Sequence, residues 1–126
     1  ILREADKIDI LKVNFEVSPD AIYNVTTDEL RRSVISPEVM DAFQEQHAIL
    51  RSLKKTPIDN VVGHIALVFE LVYPESYRIV EEQGYLKKLF RFDTQNEVAR
   101  KQFACLEECM CQYLSQKRQE QAELKN

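Results

Sequence analysis

Apolar residues recur at intervals of three and four along the middle of the chain, which is the spacing of a helix buried on one face. Ser36-Pro37 gives the start signal for such a helix, since Ser is a good N-cap residue and Pro suits the first helical position. We expect this helix to run from Pro37 to about Lys54. Its inner positions are Val39, Phe43, His47, Leu50 and Leu53.

The next segment is apolar on nearly every side. Thr56-Pro57 repeats the start signal, and the segment from Pro57 to about Val72 contains scarcely any polar face. A helix that lacks a polar face is typical of a buried element. The pattern therefore predicts that this helix is the centre of the core.

The C-terminal half has clear helix boundaries. Pro74 opens a short helix that ends at Gly84, where a left-handed residue is expected, and Tyr85 to Phe92 forms a second short helix. Thr94 and Glu97 have the spacing of a capping box before a long final helix. The apolar positions of that helix are Ala99, Phe103, Leu106, Met110 and Tyr113.

The N-terminal segment is open to two interpretations. Alternation at Leu11, Val13, Phe15 and Val17 indicates a strand or an extended arm, whereas Ile1, Ala5, Ile8 and Leu11 fit a short helix. We predict an extended N-terminal arm over 1–18, a helical domain over 19–114, and a polar helical end or tail over 115–126.

Two stretches of the chain correspond at an offset of 40 residues. Residues 74–84, 85–90 and 97–106 follow the order short helix ending in Gly, second helix, long helix, and 36–73 matches the second and third of these. This order resembles the armadillo family of helical repeats over about Thr27 to Leu114. The resemblance implies an all-α, short right-handed solenoid that binds a partner protein in its concave groove.

The resemblance also implies which residues face the groove. On the two long helices they are Asn60, His64, Val68, Arg100, Ala104 and Glu108. The asparagine that clamps peptides in the family falls at Val68 and Glu108, so we do not expect capture by an asparagine ladder. A core role for His64 competes with the binding role. The resemblance thus predicts a shallow site centred on Val68 and Ala104.

Charge favours a protein partner over nucleic acid. The 126 residues carry 17 Lys+Arg against 21 Asp+Glu, and this net charge of −4 lacks the basic surplus that nucleic-acid domains usually show. The densest basic region is an alternative surface for nucleic acid, although a solvated outer face is the simpler interpretation. It comprises Arg78, Lys87, Lys88 and Arg91.

Catalytic and metal-binding motifs are missing from the sequence. There is no Gly-rich phosphate loop or His-x3-His pair, so we expect no enzyme activity, no cofactor and no metal. Cys105, Cys109 and Cys111 make a poor disulfide framework and are expected to be packing residues of an intracellular protein, cytoplasmic or nuclear. No apolar run is long enough to span a membrane.

These features together predict a non-catalytic interaction or scaffold domain that binds a partner helix or peptide. Because the chain begins with Ile1 rather than Met, we expect it to belong to a larger protein. The alternatives are a nucleic-acid-associated helical module that uses Lys87–Arg91, and a scaffold that associates with a second copy of itself.

Overall fold

The computed structural model describes residues 3–16, 27–91 and 94–124. Within these ranges every element of regular secondary structure is a helix, which confirms the predicted all-α class. The α-helices are α1 (Glu4–Glu16), α2 (Thr27–Arg32), α3 (Pro37–Gln44), α4 (Pro57–Ile65), α5 (Pro74–Gln83), α6 (Tyr85–Phe90) and α7 (Glu97–Leu124). Two 3-10 segments, Arg51–Leu53 and Ala66–Glu70, precede and follow α4.

Three helices begin with a proline, as the sequence predicts. Pro37, Pro57 and Pro74 open α3, α4 and α5, and the residue before each has an extended backbone. Proline fits the first turn because its missing N–H would have no helical partner there. It also pushes the preceding residue out of the helical region.

The prediction of an extended arm is wrong for residues 4–16, which form α1. Ile8 and Leu11 are buried three residues apart on one face of α1, and this face lies against α4, α5 and α6. The helical interpretation therefore holds, because helix spacing is what brings both side chains to the core. Val17 and Ser18-Pro19, the end of the predicted arm, lie outside the described residues.

The prediction that the helix from Pro37 extends to about Lys54 is also wrong, because α3 ends at Gln44. Gln46 takes a left-handed backbone with φ 65° and donates its amide to the Phe43 carbonyl at 2.9 Å. The chain turns there and buries Ile49, while Leu50 is left 66% exposed. The helical spacing of apolar residues in the sequence thus extends beyond the end of the helix itself.

The buried position of the segment after Pro57 is confirmed. Ile58, Val62, Ile65 and Ala66 have no exposed surface. The α-helix ends at Ile65 rather than near Val72, and the tighter 3-10 segment follows it. With three residues per turn instead of 3.6, that segment changes which side chains face inward.

Five aromatic rings form a chain through the core. Phe43 meets Phe69 at 4.9 Å between ring centroids and Phe90 at 6.3 Å, both edge to face. Phe69 in turn meets Tyr113 at 4.8 Å, and the Tyr113 hydroxyl lies 3.1 Å from that of Tyr77. The chain therefore connects α6, α3, the second 3-10 segment, α7 and α5. Such edge-to-face pairs add to the burial of apolar area.

Asp59 is a fully buried carboxylate that joins three segments. It accepts hydrogen bonds from the Ser36 amide at 2.9 Å and the Ser36 hydroxyl at 2.6 Å. It also accepts from the amides of Lys55 at 2.8 Å and Thr56 at 2.9 Å. Two helix starts, those of α3 and α4, are held together by this one side chain.

Glu4 caps α5 from the beginning of α1. Its carboxylate accepts from the Val72 amide at 2.9 Å, the Tyr73 amide at 3.1 Å and the Ser76 hydroxyl at 2.7 Å. Burial alone would raise the pKa of Glu4, but the hydrogen bonds from Ser76, Tyr73 and Val72 and the charge of Lys7 together lower it. The ionised form of Glu4 is therefore the one that holds α1 to α5.

We expect Glu4→Gln to lower the free energy of unfolding at neutral pH and to change it little well below pH 4.5. The folded-state pKa of Glu4 lies below its ordinary value of 4.5. Its contribution is therefore complete above that value and is lost as the pH falls through the lowered pKa. Urea unfolding of both proteins across this range measures the difference. The exposed substitution Asp9→Asn on α1 is the control, and an equal pH-dependent difference for it would contradict the prediction.

Gly84 takes the left-handed conformation predicted for it, with φ 74° and ψ 0°. A Cβ at this position would meet no atom within 4 Å. Gly84→Ala is therefore expected to cost about 1 kcal/mol through backbone strain alone, and Gly84→Asn less, because asparagine tolerates this region better. Chemical denaturation of the two variants tests this, and equal losses would contradict the conformational explanation.

The start of α7 differs from the predicted capping box. Asn96 is the capping residue, since its Oδ1 accepts from the amides of Val98 at 2.8 Å and Ala99 at 3.1 Å. Thr94 instead donates its hydroxyl to the Arg31 carbonyl at 2.9 Å and so attaches this loop to α2. Because the Thr94 hydroxyl makes a tertiary contact, Asn96 rather than Thr94 caps α7.

The helix α7 is the longest element and holds several others together. Its 28 residues span about 42 Å. The Gln102 amide donates to the Ile35 carbonyl at 2.8 Å and accepts from the Ile35 amide at 2.9 Å. One side chain thus satisfies both backbone groups of a residue between α2 and α3, and the helix continues through the polar positions to Leu124.

Candidate functional site

A groove runs along one face of α7, with α5 and α6 forming the opposite wall. We call it the α7 groove. Its central section has a volume of about 280 Å³. Apolar side chains from both walls line this section, namely Val80, Leu86, Phe90, Met110 and Leu114. Each of these side chains is largely buried, so the groove has a packed apolar floor.

Two further depressions continue the groove at its ends. One, of about 390 Å³, lies between Arg91, the residue that follows α6, and the Arg100–Ala104 turn of α7. The other, of about 670 Å³, lies between the first turns of α5 and the distal part of α7, near Tyr73 and Gln121. Each shares residues with the central section, so the three follow one another along α7.

Ion pairs cross the groove where its sections meet. Arg91 Nε lies 3.4 Å from Glu107 Oε1, and Arg118 Nη1 lies 3.3 Å from Glu81 Oε2. Glu107 and Arg118 are eleven positions apart on α7, a rise of about 16 Å. The central section is therefore three helical turns long, with one ion pair at each end.

The structure buries Val68, the predicted apolar centre of the site. Val68 is 2% exposed because it lies in the 3-10 segment that packs into the core. Its predicted place at the surface is therefore wrong. Asn60 and His64 are half-buried on α4, and no groove section found in the described ranges includes either of them.

The predicted residues of α7 lie nearer to the groove. Arg100 and Ala104 are exposed and line its first section together with Arg91. Glu108 is exposed beside the groove, but the neighbouring Glu107 is the acid that lines it. The structure thus places the three predicted residues of α7 at or beside the groove, and the other three, Asn60, His64 and Val68, away from it.

His64 has a neutral imidazole in a crowded cationic corner. Burial, followed by the nearby charge of Lys54, lowers the pKa of His64 to about 4. Lys54 lies so close to α4 that a Cβ on Gly63 would come within 2.5 Å of its Cε. Burial and the charge of Arg51 lower the pKa of Lys54, and Asp59 opposes that change. At neutral pH His64 therefore offers no charge to a partner.

The alternative basic surface overlaps with the same groove. Lys87 of α6 and Arg91, which directly follows α6, line the groove, and all four basic residues of that surface are exposed. Arg91 is paired with Glu107, and Arg78 lies 4.0 Å from Glu82. The two surfaces that the sequence treats as separate are, in part, opposite walls of one groove.

The three cysteines are free thiols in different surroundings. The Cys105 thiol accepts a hydrogen bond from the side-chain amide Nε2 of Gln44 at 3.4 Å, and Cys111 lines the central section of the groove. Burial and then the proximity of Cys105 raise the pKa of Cys109. No group of three or more potential metal ligands occurs in the part of the chain that the structure describes.

Several groove residues were not singled out by the sequence. Leu86, Phe90 and Met110 are core residues that also form the floor of the groove, and of these only Met110 was identified from the sequence, as an apolar helix position. Arg118 lies in the polar end, where apolar periodicity gives no signal. Its position one turn after Leu114 is the feature that indicates the same helix face.

No helix of the described ranges combines the length and the apolar character needed to cross a membrane. Comparison of the chain with family models, with curated proteins and with solved structures found no match. The armadillo resemblance therefore rests on the residues of this chain alone and stays a prediction.

Proposed function

We propose that this chain is a non-catalytic, intracellular interaction domain that binds an amphipathic helix of another protein in the α7 groove. The observation that carries the proposal is the central section of the groove. Apolar side chains from α7 on one side and from α5 and α6 on the other form its floor, and charged residues lie at its rim. An amphipathic helix that lies in an apolar groove is a common mode of peptide recognition.

The dimensions of the groove support a helix as the occupant. The interval of about 16 Å between the two ion pairs corresponds to three turns of an α-helix. A helix of that length presents apolar side chains at positions i, i+4 and i+7 on one face. These side chains would contact Leu86, Phe90 and Met110, whereas the charged residues at the rim would fix the orientation.

The armadillo-like arrangement is part of this proposal. The order of α5, Gly84, α6 and the long α7 supports it, because the armadillo resemblance predicts this order for one unit. The preceding unit departs from the pattern, since its long helix was expected from Pro57 to about Val72 and α4 ends at Ile65. The free thiols of the three cysteines support an intracellular setting.

A nucleic-acid partner has less support from the same residues. Arg91 is paired with Glu107, and Glu81 and Glu82 lie on the same wall as Arg78 and Lys87. These acids would repel a phosphate backbone along this surface. A protein helix, which carries charges of both signs, suits the mixed rim better.

A displayed library of amphipathic helices tests the proposal. The library keeps a fixed pattern of leucines and varies the remaining positions. Its members are selected for binding to the whole chain. We expect binders whose affinity falls at least tenfold on Cys111→Glu, which puts a charge into the central section. Gln112→Glu is the control, because Gln112 is exposed on α7 and does not line the groove.

The proposal fails if selection yields no helix that distinguishes these two variants. Circular dichroism and thermal unfolding of both variants verify that the fold is kept, since Cys111 and Gln112 are both exposed. Self-association is measured by sedimentation-velocity ultracentrifugation of the unliganded chain. A dimer that Cys111→Glu dissociates would assign the groove to a second copy and contradict the proposal of a different partner.

A further inference from the structure

We infer that Lys87 selects partner helices that carry an acidic side chain one turn from the leucine that enters the α7 groove. This inference rests on the proposed function and names the chemistry of the partner. It is carried by the charges on the rim of the central section, which comprise Glu81, Lys87, Glu107 and Arg118.

Three of these four charges are already compensated within the chain. Glu81 is paired with Arg118 at 3.3 Å, and Glu107 is paired with Arg91 at 3.4 Å. A partner that used any of the three would have to break an existing ion pair. The side chain of Lys87 is exposed, and its ammonium has no ion pair or hydrogen bond with any residue in the described ranges. It is therefore the charge that a partner can neutralise at no such cost.

Lys88 is the natural comparison for Lys87. The two lysines are neighbours on α6 and are both exposed, but successive helix positions point about 100° apart. Lys87 lines the central section, whereas the Lys88 ammonium lies over the Tyr85 ring, 5.8 Å from its centroid. A charge change at Lys88 alters the net charge of the chain equally without altering the lining of the groove.

The position of Lys87 makes its charge matter for selectivity. An exposed ion pair alone contributes little to affinity. An apolar anchor that fills the groove fixes the partner helix, so that a side chain one turn away is held beside Lys87. A basic side chain there is repelled, and repulsion discriminates between partners as effectively as attraction.

The experiment selects the same library of helices on three proteins, the unchanged chain, Lys87→Glu and Lys88→Glu. We expect Asp and Glu to be enriched beside the leucine anchor on the unchanged chain and on Lys88→Glu. We expect Lys and Arg to be enriched on Lys87→Glu. For one binder and its Glu→Lys derivative, the affinities should differ by about three- to tenfold at low salt, and less at high salt.

Only binders that fail on Cys111→Glu count as occupants of the groove. If such binders show no acidic preference, or if Lys88→Glu changes the preference as much as Lys87→Glu does, the inference is wrong while the proposed function stands. If no binder depends on Cys111, the proposed function itself is wrong. Unchanged helix content in all variants shows that their folding is intact.

Discussion

Phe43→Ala is expected to lower the free energy of unfolding by about 3–5 kcal/mol, which is the usual cost of removing a buried phenyl ring. Phe43 has no exposed surface, and its ring lies edge to face against Phe69 and Phe90. The cavity would open where α3, α6 and the second 3-10 segment meet, and three separate elements cannot easily close around it. Urea unfolding measures the loss.

Leu50→Ala is the matched control for this substitution. Leu50 and Phe43 are both inner positions of the long helix that the sequence predicts, but Leu50 is 66% exposed in the structure. Its replacement should change the free energy of unfolding by no more than about 0.5 kcal/mol. Comparable losses for the two variants would contradict the end of α3 at Gln44 and restore the longer helix.

Asp59→Ala is expected to have a loss of the same size, about 3–5 kcal/mol, for a different reason. The Asp59 carboxylate accepts four hydrogen bonds, two from Ser36 and one each from Lys55 and Thr56. Each buried donor left without an acceptor costs about 1–3 kcal/mol. The total cost of these unsatisfied donors is partly offset, because the alanine variant no longer has to desolvate a buried charge.

Asp59→Asn separates the hydrogen bonds from the space that the side chain fills. Asparagine has the same shape, but one of its two groups is a donor, which would face the amides of Ser36 or of Thr56. We expect a loss smaller than that of alanine yet well above that of Asp41→Ala, since Asp41 is exposed on α3. A loss at Asp59 no greater than at Asp41, measured by thermal unfolding, would contradict this role.

Helix starts were predictable from the sequence because local chemistry decides them. Pro37, Pro57 and Pro74 restrict both themselves and the residue before them, whatever the rest of the chain does. Gly84 was predictable for the same kind of reason, since a left-handed residue at a helix end favours glycine. The Asn96 cap was missed because two good capping residues stood close together.

Helix ends without glycine were not predictable. Gln46 adopts φ 65° although it is neither glycine nor asparagine, so its residue type gave no signal for a left-handed helix end. Ile65 likewise ends α4 with no local signal. The alternation of apolar and polar residues around Leu11 and Val13 suggested a strand. A strand needs a neighbouring strand to pair with, however, and as a helix this segment buries its apolar side chains against α4, α5 and α6.

The candidate site was predictable only on one wall. Arg100 and Ala104 were placed on the groove side of the last helix by the family resemblance, and they do line the α7 groove. The opposite wall depends on which helices pack beside α7, which no local pattern encodes. Lys87 and Arg91 were therefore predicted to form a separate surface, and Val68 was placed at the surface although it is buried.

The cap that Glu4 places on α5 has a consequence for folding during synthesis. Glu4 and its partners Val72 and Ser76 are 68 and 72 residues apart in the chain. At about 5–20 residues per second, the ribosome needs roughly 4–14 s to make that interval. For all of this time Ile8 and Leu11 have no α5 or α6 to cover them. The apolar face of the nascent α1 is therefore expected to stay uncovered until α5 and α6 have been made.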